Sequence, residues 1–391
     1  MEQKTFVIAI VPVSIAGSSG DSVNERQLLE AISRYVERII VFSITPIQKF
    51  RKSVELKRCK CTVVELPFIP YFGPLYMIFY SFIIMPIVYL LNALYRIDFI
   101  YARSTFPALG LILSRKLAKK TLVKYTSFIE DELRMQGKFL TFIKICCSMI
   151  DRIVLSNCKK ILVPSHLWFH QLTKRRFIAR PYSDYVVVPP GVNIDKIMQI
   201  AGSPLPRNSA TKIRVGFLGT ITWWQGADIL AKACIILKTR VPNIKLVLIG
   251  HGEKKQIDLI KEICELKGLE YEITGYLSHE DALKHLRELD VLVLPSRRIS
   301  TTELNIPIKV IEAWALGVPV IVTRHDVFLK HGVRNFEDVI FCEPHPSSVA
   351  GAILTLLNEP ALREKLKVNG FRLALRFDYN KIAKNLLKAA Q

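Results

Sequence analysis

The stretch IPIKVIEAWALGVPVIVTR, Ile306 to Arg324, decides the reading of this chain. Pro307, Lys309 and Glu312 stand at short fixed spacing, followed by Gly317, Pro319 and the apolar run Val320, Ile321, Val322. A proline suits the first turn of a helix, where its missing N–H is not needed. Lys309 and Glu312 are three residues apart, so they share one helix face close to the N-terminal end. That end carries partial positive charge and unpaired N–H groups, which favour an anion such as a phosphate. Gly317 can end the helix, and the β-branched run after Pro319 reads as a buried strand. The unit is a phosphate-facing helix that leads into a parallel strand.

Working outward, the same alternation fills the chain. Apolar runs predict strands at Phe6–Val11, Arg38–Ser43, Cys61–Leu66, Asp98–Ala102, Thr121–Tyr125, Lys160–Pro164 and Tyr185–Val188. A second series follows at Ile213–Leu218, Lys245–Ile249, Tyr271–Thr274, Val291–Leu294, Val318–Thr323 and near Val339–Cys342. These runs lack period-two alternation, as expected of strands covered on both faces. With 391 residues, two α/β domains are expected, each a doubly wound parallel sheet. The polar, Pro-containing segment Ala201–Lys212 is the expected linker.

Composition narrows the partners. The formal net charge is +21, of which +14 falls in residues 1–200 and +7 in the remainder. Such an excess suits an anionic membrane surface or phosphorylated substrates. No zinc-finger, RNP or basic-zipper pattern is present, so a nucleic-acid partner is not expected. The eight cysteines are scattered, with no zinc-type CxxC pair, and read as reduced thiols of a cytoplasmic protein. No metal site of DxD type is evident. The apolar N-terminus faintly mimics a signal peptide, but reads as a first strand running into the Gly/Ser loop Gly17–Gly20.

From Leu66 to Tyr95 there is no charged residue, and the run is long enough to span a bilayer. Strands expected close on either side argue against a span, because one sheet cannot lie on both sides of a membrane. A helix partly buried on the N-terminal domain and partly touching lipid is expected; a wholly buried helix and a span are the alternatives. Basic residues flank it, among them Arg51, Lys52, Lys57, Arg58, Lys60, Arg96, Arg115, Lys116, Lys119 and Lys120.

The Ile306–Arg324 stretch resembles the C-terminal signature of retaining nucleotide-sugar glycosyltransferases of the GT-B fold, family 4, roughly P-x-K-x-x-E followed by A-x-G-x-P-V. The resemblance extends to PPGVNIDKI (Pro189–Ile197), similar to the family's interdomain passage, although Pro190 replaces the usual Asn. It also takes in VGFLGTITWWQGADIL (Val215–Leu230), LIGHGEKK (Leu248–Lys255) and ITGYLSHEDALKHLRELDVLVLPS (Ile273–Ser296). It implies a GT-B fold, two Rossmann-like domains facing across a cleft. Residues 1–205 would form the acceptor side, residues 206–369 would bind the donor, and a C-terminal helix in about 370–391 would pack back on the first domain.

The resemblance also implies roles. Glu312 would hold the ribose of the nucleotide. Gly219, Gly250 and Gly252 would let the backbone approach the diphosphate, and the loop at Tyr276 would meet the base. Thr220 and Gln225 stand where many members carry Arg and Lys, so Lys309, with Arg297 or Arg298, would supply the missing charge. Glu303, one residue out of the family's two-acid spacing, would reach the donor sugar. On the acceptor side Gly20, Asp21 and Arg103 would lie near the phosphate or the acceptor; Thr126 and Ser127 stand where a histidine is common, and Glu130 or Asp131 would orient an acceptor hydroxyl.

All eight histidines lie at 166 or later, so the first sheet offers no histidine base. An inverting reaction wants such a base. A retaining front-side displacement can pass the acceptor proton to the leaving phosphate. The expectation is a metal-independent, cofactor-free hexosyltransferase-like enzyme, peripheral on the cytoplasmic face. It would move a sugar from a nucleoside-diphosphate-sugar to a glycan or lipid-linked acceptor. A GT-B epimerase or phosphorylase, or a non-catalytic sugar-nucleotide-binding protein, is the alternative.

Overall fold

The computed structural model describes residues 5–13, 20–46, 60–68, 73–128, 131, 141–176, 178–202 and 212–391. The chain divides into two compact units. The first comprises Met1–Pro189 with Tyr379–Gln391, the second Pro190–Asp378.

In the first unit seven parallel strands run in the order β3-β2-β1-β4-β5-β6-β7. They are β1 (Phe6–Val11), β2 (Arg38–Pro46), β3 (Cys61–Phe68), β4 (Phe99–Arg103), β5 (Thr121–Lys124), β6 (Lys160–Val163) and β7 (Tyr185–Val187). β1 pairs in parallel with both β2 and β4, so the order reverses beside it. Val7, Ala9 and Val11 face one layer and Ile8 and Ile10 the other, all fully buried. That explains why the strand reads as an unbroken apolar run.

The first layer holds the Gly20–Ser33 helix through Leu28, Leu29 and Ile32, together with the chain's last helix, Tyr379–Ala390, through Ile382, Ala383 and Leu386. Tyr379–Ala390 therefore returns to the first unit, as expected. The opposite layer holds the Gly73–Tyr95 helix through Tyr80, Ile84 and Val88, with Leu111 and Leu117 from the short helices Leu109–Ile112 and Arg115–Ala118. Pro86 lies inside the long helix without ending it. Beside them the Thr141–Asn157 helix is fixed by buried Asp151, which accepts hydrogen bonds from Thr105 (2.6 Å), Tyr125 (2.6 Å) and Arg176 Nε (2.7 Å).

The second unit repeats the plan with six parallel strands in the order β10-β9-β8-β11-β12-β13. They are β8 (Ile213–Leu218), β9 (Ile244–Ile249), β10 (Glu270–Ile273), β11 (Val291–Leu294), β12 (Val320–Thr323) and β13 (Ile340–Cys342). The order reverses between β8 and β11, and ligands of such sheets bind beyond the carboxyl ends of the strands at that point.

One expectation shifts. The division falls at Pro189/Pro190, before the PPGVNIDKI passage ends, not near residue 205. The Ile194–Gly202 helix belongs to the second unit, where Ile200 carbonyl accepts a hydrogen bond from Arg287 (2.9 Å). Most of the expected linker, 203–211, lies outside the described residues. At the other end the crossing back begins at Tyr379. The preceding helix, Pro360–Ala374, packs in the second unit, with Gly370 so close to Trp314 that a Cβ there would come within 2.6 Å of the indole.

Candidate functional site

The helix that opens the sequence argument runs Ile308–Ala315, with Pro307 one position before it as N-cap. It ends as expected: Gly317 has φ +67°, and Val318 N–H reaches back to Ala313 carbonyl (2.9 Å). Its first turn presents Lys309. The ammonium donates to Gln225 Oε1 (2.8 Å) and lies 4.9 Å from the centre of the Phe217 ring. Burial pushes the Lys309 pKa down to about 7, only partly opposed by the nearby Glu312 carboxylate.

Gly219 follows β8 directly beside that ammonium. Its φ is +130°, and a Cβ there would sit 2.6 Å from Lys309 Nζ. Gly250, at φ +136°, follows β9, and a Cβ there would strike Gly219 carbonyl at 2.2 Å. Two backbone turns thus touch where only glycine fits. Thr274, just past β10, braces them: its hydroxyl accepts from Gly250 N–H (3.0 Å) and donates to Gly275 carbonyl (3.1 Å). Thr274→Val keeps the shape and removes both bonds. It should lower stability by about 1–2 kcal/mol, measured as a drop in denaturation midpoint; an unchanged midpoint would show the brace to be idle.

Thr220 is exposed one residue beyond Gly219. Gly252 bridges to Ile221, again without room for a Cβ. Tyr276 is exposed and meets His251 edge-on at 5.3 Å. One turn further along the Ile308–Ala315 helix, Glu312 is buried, and its Oε1 lies 2.6 Å from His279 Nε2. His279 opens the His279–Arg287 helix, capped by Ser278 accepting from Asp281 N–H. The sequence reading named the loop but missed this histidine. Its one signal was a titratable side chain at a helix N-terminus next to the turn that holds Tyr276.

The other expected donor residues are engaged with acids. Arg297 forks onto Asp228 with contacts of 3.0 and 2.7 Å and also meets Trp223 carbonyl. Arg298 lies 3.5 Å from both Glu303 and Glu343. Neither guanidinium is free of a carboxylate, whereas the bonded partner of Lys309 is a neutral amide. Glu303 is held at both oxygens. Oε1 takes a bond from His325 Nδ1 (3.0 Å) and Oε2 one from Asp326 N–H (3.2 Å). Burial, opposed by Glu303, pushes the His325 pKa down. The neutral ring donates from Nδ1 and accepts Ser296 hydroxyl at Nε2 (2.9 Å). Ser296, His325 and Asp228 were not anticipated, because each meets a partner far away in sequence, Ser296 and His325 just past strand ends and Asp228 in the first turn of the Ala227–Leu237 helix.

In the first unit the expected acceptor-side residues gather at the carboxyl ends of β4 and β5. Arg103 pairs with Asp21 (2.7 Å) and with buried Glu25 (3.3 Å). Glu25 also holds Lys124 (2.7 Å) and Tyr101 hydroxyl (2.6 Å). Burial alone would raise the Glu25 pKa, but Lys124 and Arg103 outweigh it and hold it low. Gly20 begins the helix that carries Asp21 and Glu25, and Thr126 follows β5. Glu130 lies outside the described residues. No group of three metal-ligating side chains occurs among the described residues.

Residues 212–359 match the family model described as glycosyl transferases group 1. The chain is 27% identical to phosphatidyl-myo-inositol mannosyltransferase of Mycobacterium leprae over 53% of each chain. It is 25% identical to the amylovoran biosynthesis glycosyltransferase AmsK of Erwinia amylovora over 54% of this chain and 55% of that one. The chain spans about half the length of the curated relatives it matches. Among solved structures it is similar to sucrose-phosphate synthase of Thermosynechococcus elongatus (TM-score 0.74, 19% identity, 98% and 97% of the two chains covered). It is also similar to Anabaena HepE in complex with UDP (TM-score 0.71, 15% identity, 98% of each covered). These likenesses define the fold: two parallel-sheet α/β units of GT-B type, with the match to the group 1 glycosyltransferase model falling in the second.

Proposed function

We propose that the protein is a glycosyltransferase that moves a sugar from a nucleoside-diphosphate-sugar to a glycan or lipid-linked acceptor, with retention and without a metal ion. The observation that carries this is the placement of Lys309 and Glu312 on one helix at the reversal point of the second sheet, with Lys309 against Gly219. A diphosphate over Gly219 would meet the ammonium and the free N–H groups of the helix start, which stabilise the charge left when the glycosidic bond breaks. That positive charge does the work for which a divalent cation would otherwise be needed. Glu312, one turn further along the helix, would accept from ribose hydroxyls. Glu303, oriented by His325 and Asp326 N–H, would face the sugar, and Arg103 with Asp21 the acceptor. Solved structures of HepE, a GT-B neighbour, carry UDP and UDP-glucose, which supports a nucleotide-sugar donor.

Incubation with UDP-, GDP- and ADP-sugars and candidate acceptors, read by NMR of the product's anomeric proton, tests the reading. One donor should give acceptor-dependent nucleotide release and a product of unchanged anomeric configuration, insensitive to EDTA. An inverted product, or loss of turnover with EDTA, would overturn those parts. Sugar conversion without acceptor would point to an epimerase; nucleotide binding with no turnover of any donor would point to a binding protein.

A further inference from the structure

The Gly73–Tyr95 helix is apolar all round, yet only one of its faces is used. Tyr80, Ile84 and Val88 pack on the sheet, while Phe79, Ile83, Ile87, Leu90 and Leu94 remain exposed, Leu90 by 59%. It is the described helix long and apolar enough to cross a membrane. A span does not fit the topology. β3 and β4, before and after it, are parallel strands of one sheet, and three turns of the helix are fastened to that sheet.

A second apolar strip lies in the same layer. In the Thr141–Asn157 helix Ile145, Met149 and Ile153 are exposed at four-residue spacing, Met149 by 58%. Both helices flank the short Leu109–Ile112 helix, whose following residue, Leu113, is exposed as well. The rim is basic: Arg96, Arg115, Lys116, Lys119, Lys144 and Arg152 are all exposed. Between Leu66 and Phe128 the one acid is Asp98, and its carboxylate already accepts Phe6 N–H (2.7 Å).

We infer that these two helices form one docking face for an anionic lipid leaflet, with both apolar strips entering the acyl boundary and the basic rim at the headgroups. Apolar burial plus attraction to anionic lipid is the physics of an interfacial helix. A second copy of this chain is the poorer occupant, because the net charge of +21 and the basic rim would meet their like. The inference does not depend on the activity proposed above.

Sedimentation with vesicles of phosphatidylcholine alone or with added phosphatidylglycerol tests it, with size-exclusion light scattering of the protein alone. The protein should bind the anionic vesicles at least tenfold better, and high salt should release most of it because the charge attraction is screened. Ile145→Glu with Met149→Glu, and separately Ile83→Glu with Leu90→Glu, should each lower binding at least tenfold. All four sites are exposed, so melting temperatures should stay near wild type and separate lost docking from lost folding. No binding to either vesicle, or equal binding to both, overturns the inference. So does retention through alkali, which means a span, or a dimer that the substitutions dissolve. If the Ile83/Leu90 pair matters and the Ile145/Met149 pair does not, the two-helix face is wrong.

Discussion

Lys309→Ala should lower turnover by about two to three powers of ten, roughly 3–4 kcal/mol of transition-state stabilisation. The charge on the leaving diphosphate grows as the sugar departs, so a cation there acts on turnover more than on donor affinity. Arg297→Ala and Arg298→Ala should cost less, because Asp228 and the pair Glu303/Glu343 already occupy those guanidinium groups. A pH signature accompanies the effect. Lys309 titrates at about 7 in the free protein, and a bound diphosphate favours the ammonium form. Donor binding therefore takes up a proton when it occurs above pH 7. Affinity should hold steady below that pH and fall above it, by up to about tenfold per pH unit. Lys309→Ala should abolish that slope. Near-wild-type turnover in the variant would assign the diphosphate to another group, and a pH-independent affinity in the wild type would deny the proton linkage.

Glu312→Gln should weaken nucleotide binding by about 1–3 kcal/mol, or roughly 5- to 150-fold. Glutamine preserves the volume of a side chain that is almost wholly buried, so the fold should survive. What is lost is the charge that strengthens a ribose hydroxyl's hydrogen bond. The same change removes the charged partner of His279 at 2.6 Å. His279→Ala is the useful companion: it should weaken binding less than Glu312→Gln, because it only loosens the carboxylate that would touch the ligand. Unchanged nucleotide affinity in folded Glu312→Gln would refute the ribose assignment.

Much of the fold could be read from the chain. The strands of both sheets appear within a few residues of the runs that predict them; the inner strands are apolar throughout because both their faces are covered, while the edge strands β3 and β10 keep exposed residues. The return of Tyr379–Ala390 came from the family resemblance rather than from its own pattern, and its apolar face packs in the first unit. The Gly73–Tyr95 helix shows the limit. Its existence follows from composition, but its buried face does not, since Tyr80, Ile84 and Val88 are no more apolar than their exposed neighbours. The unit boundary was misplaced because a polar, Pro-containing stretch looks like a linker, whereas the chain actually changes units at the Pro189/Pro190 pair.

At the site, residues acting through local spacing were legible and residues acting through tertiary contact were not. The shared helix face of Lys309 and Glu312 follows from their spacing, whereas the places of Glu312 at the ribose and Gly219 at the diphosphate are what the family resemblance implies. The His279–Glu312 contact joins residues 33 apart, and the Arg297–Asp228 fork joins residues 69 apart. Such pairs depend on sheet register and on which strand ends adjoin, and a single sequence carries neither. The departures at Thr220 and Gln225 were visible, but their consequence was not: Gln225 is the partner that holds Lys309 in place.

If Lys309 and Glu312 hold the donor, the second unit binds a nucleoside diphosphate in solution. Calorimetric titration of UDP, GDP and ADP into the wild-type protein at pH 6.5 and pH 8.5 measures this. One of them should bind saturably at a single site, more tightly at the lower pH, with proton uptake at the higher. Absence of binding by all three at both pH values, in protein that is folded, would contradict it.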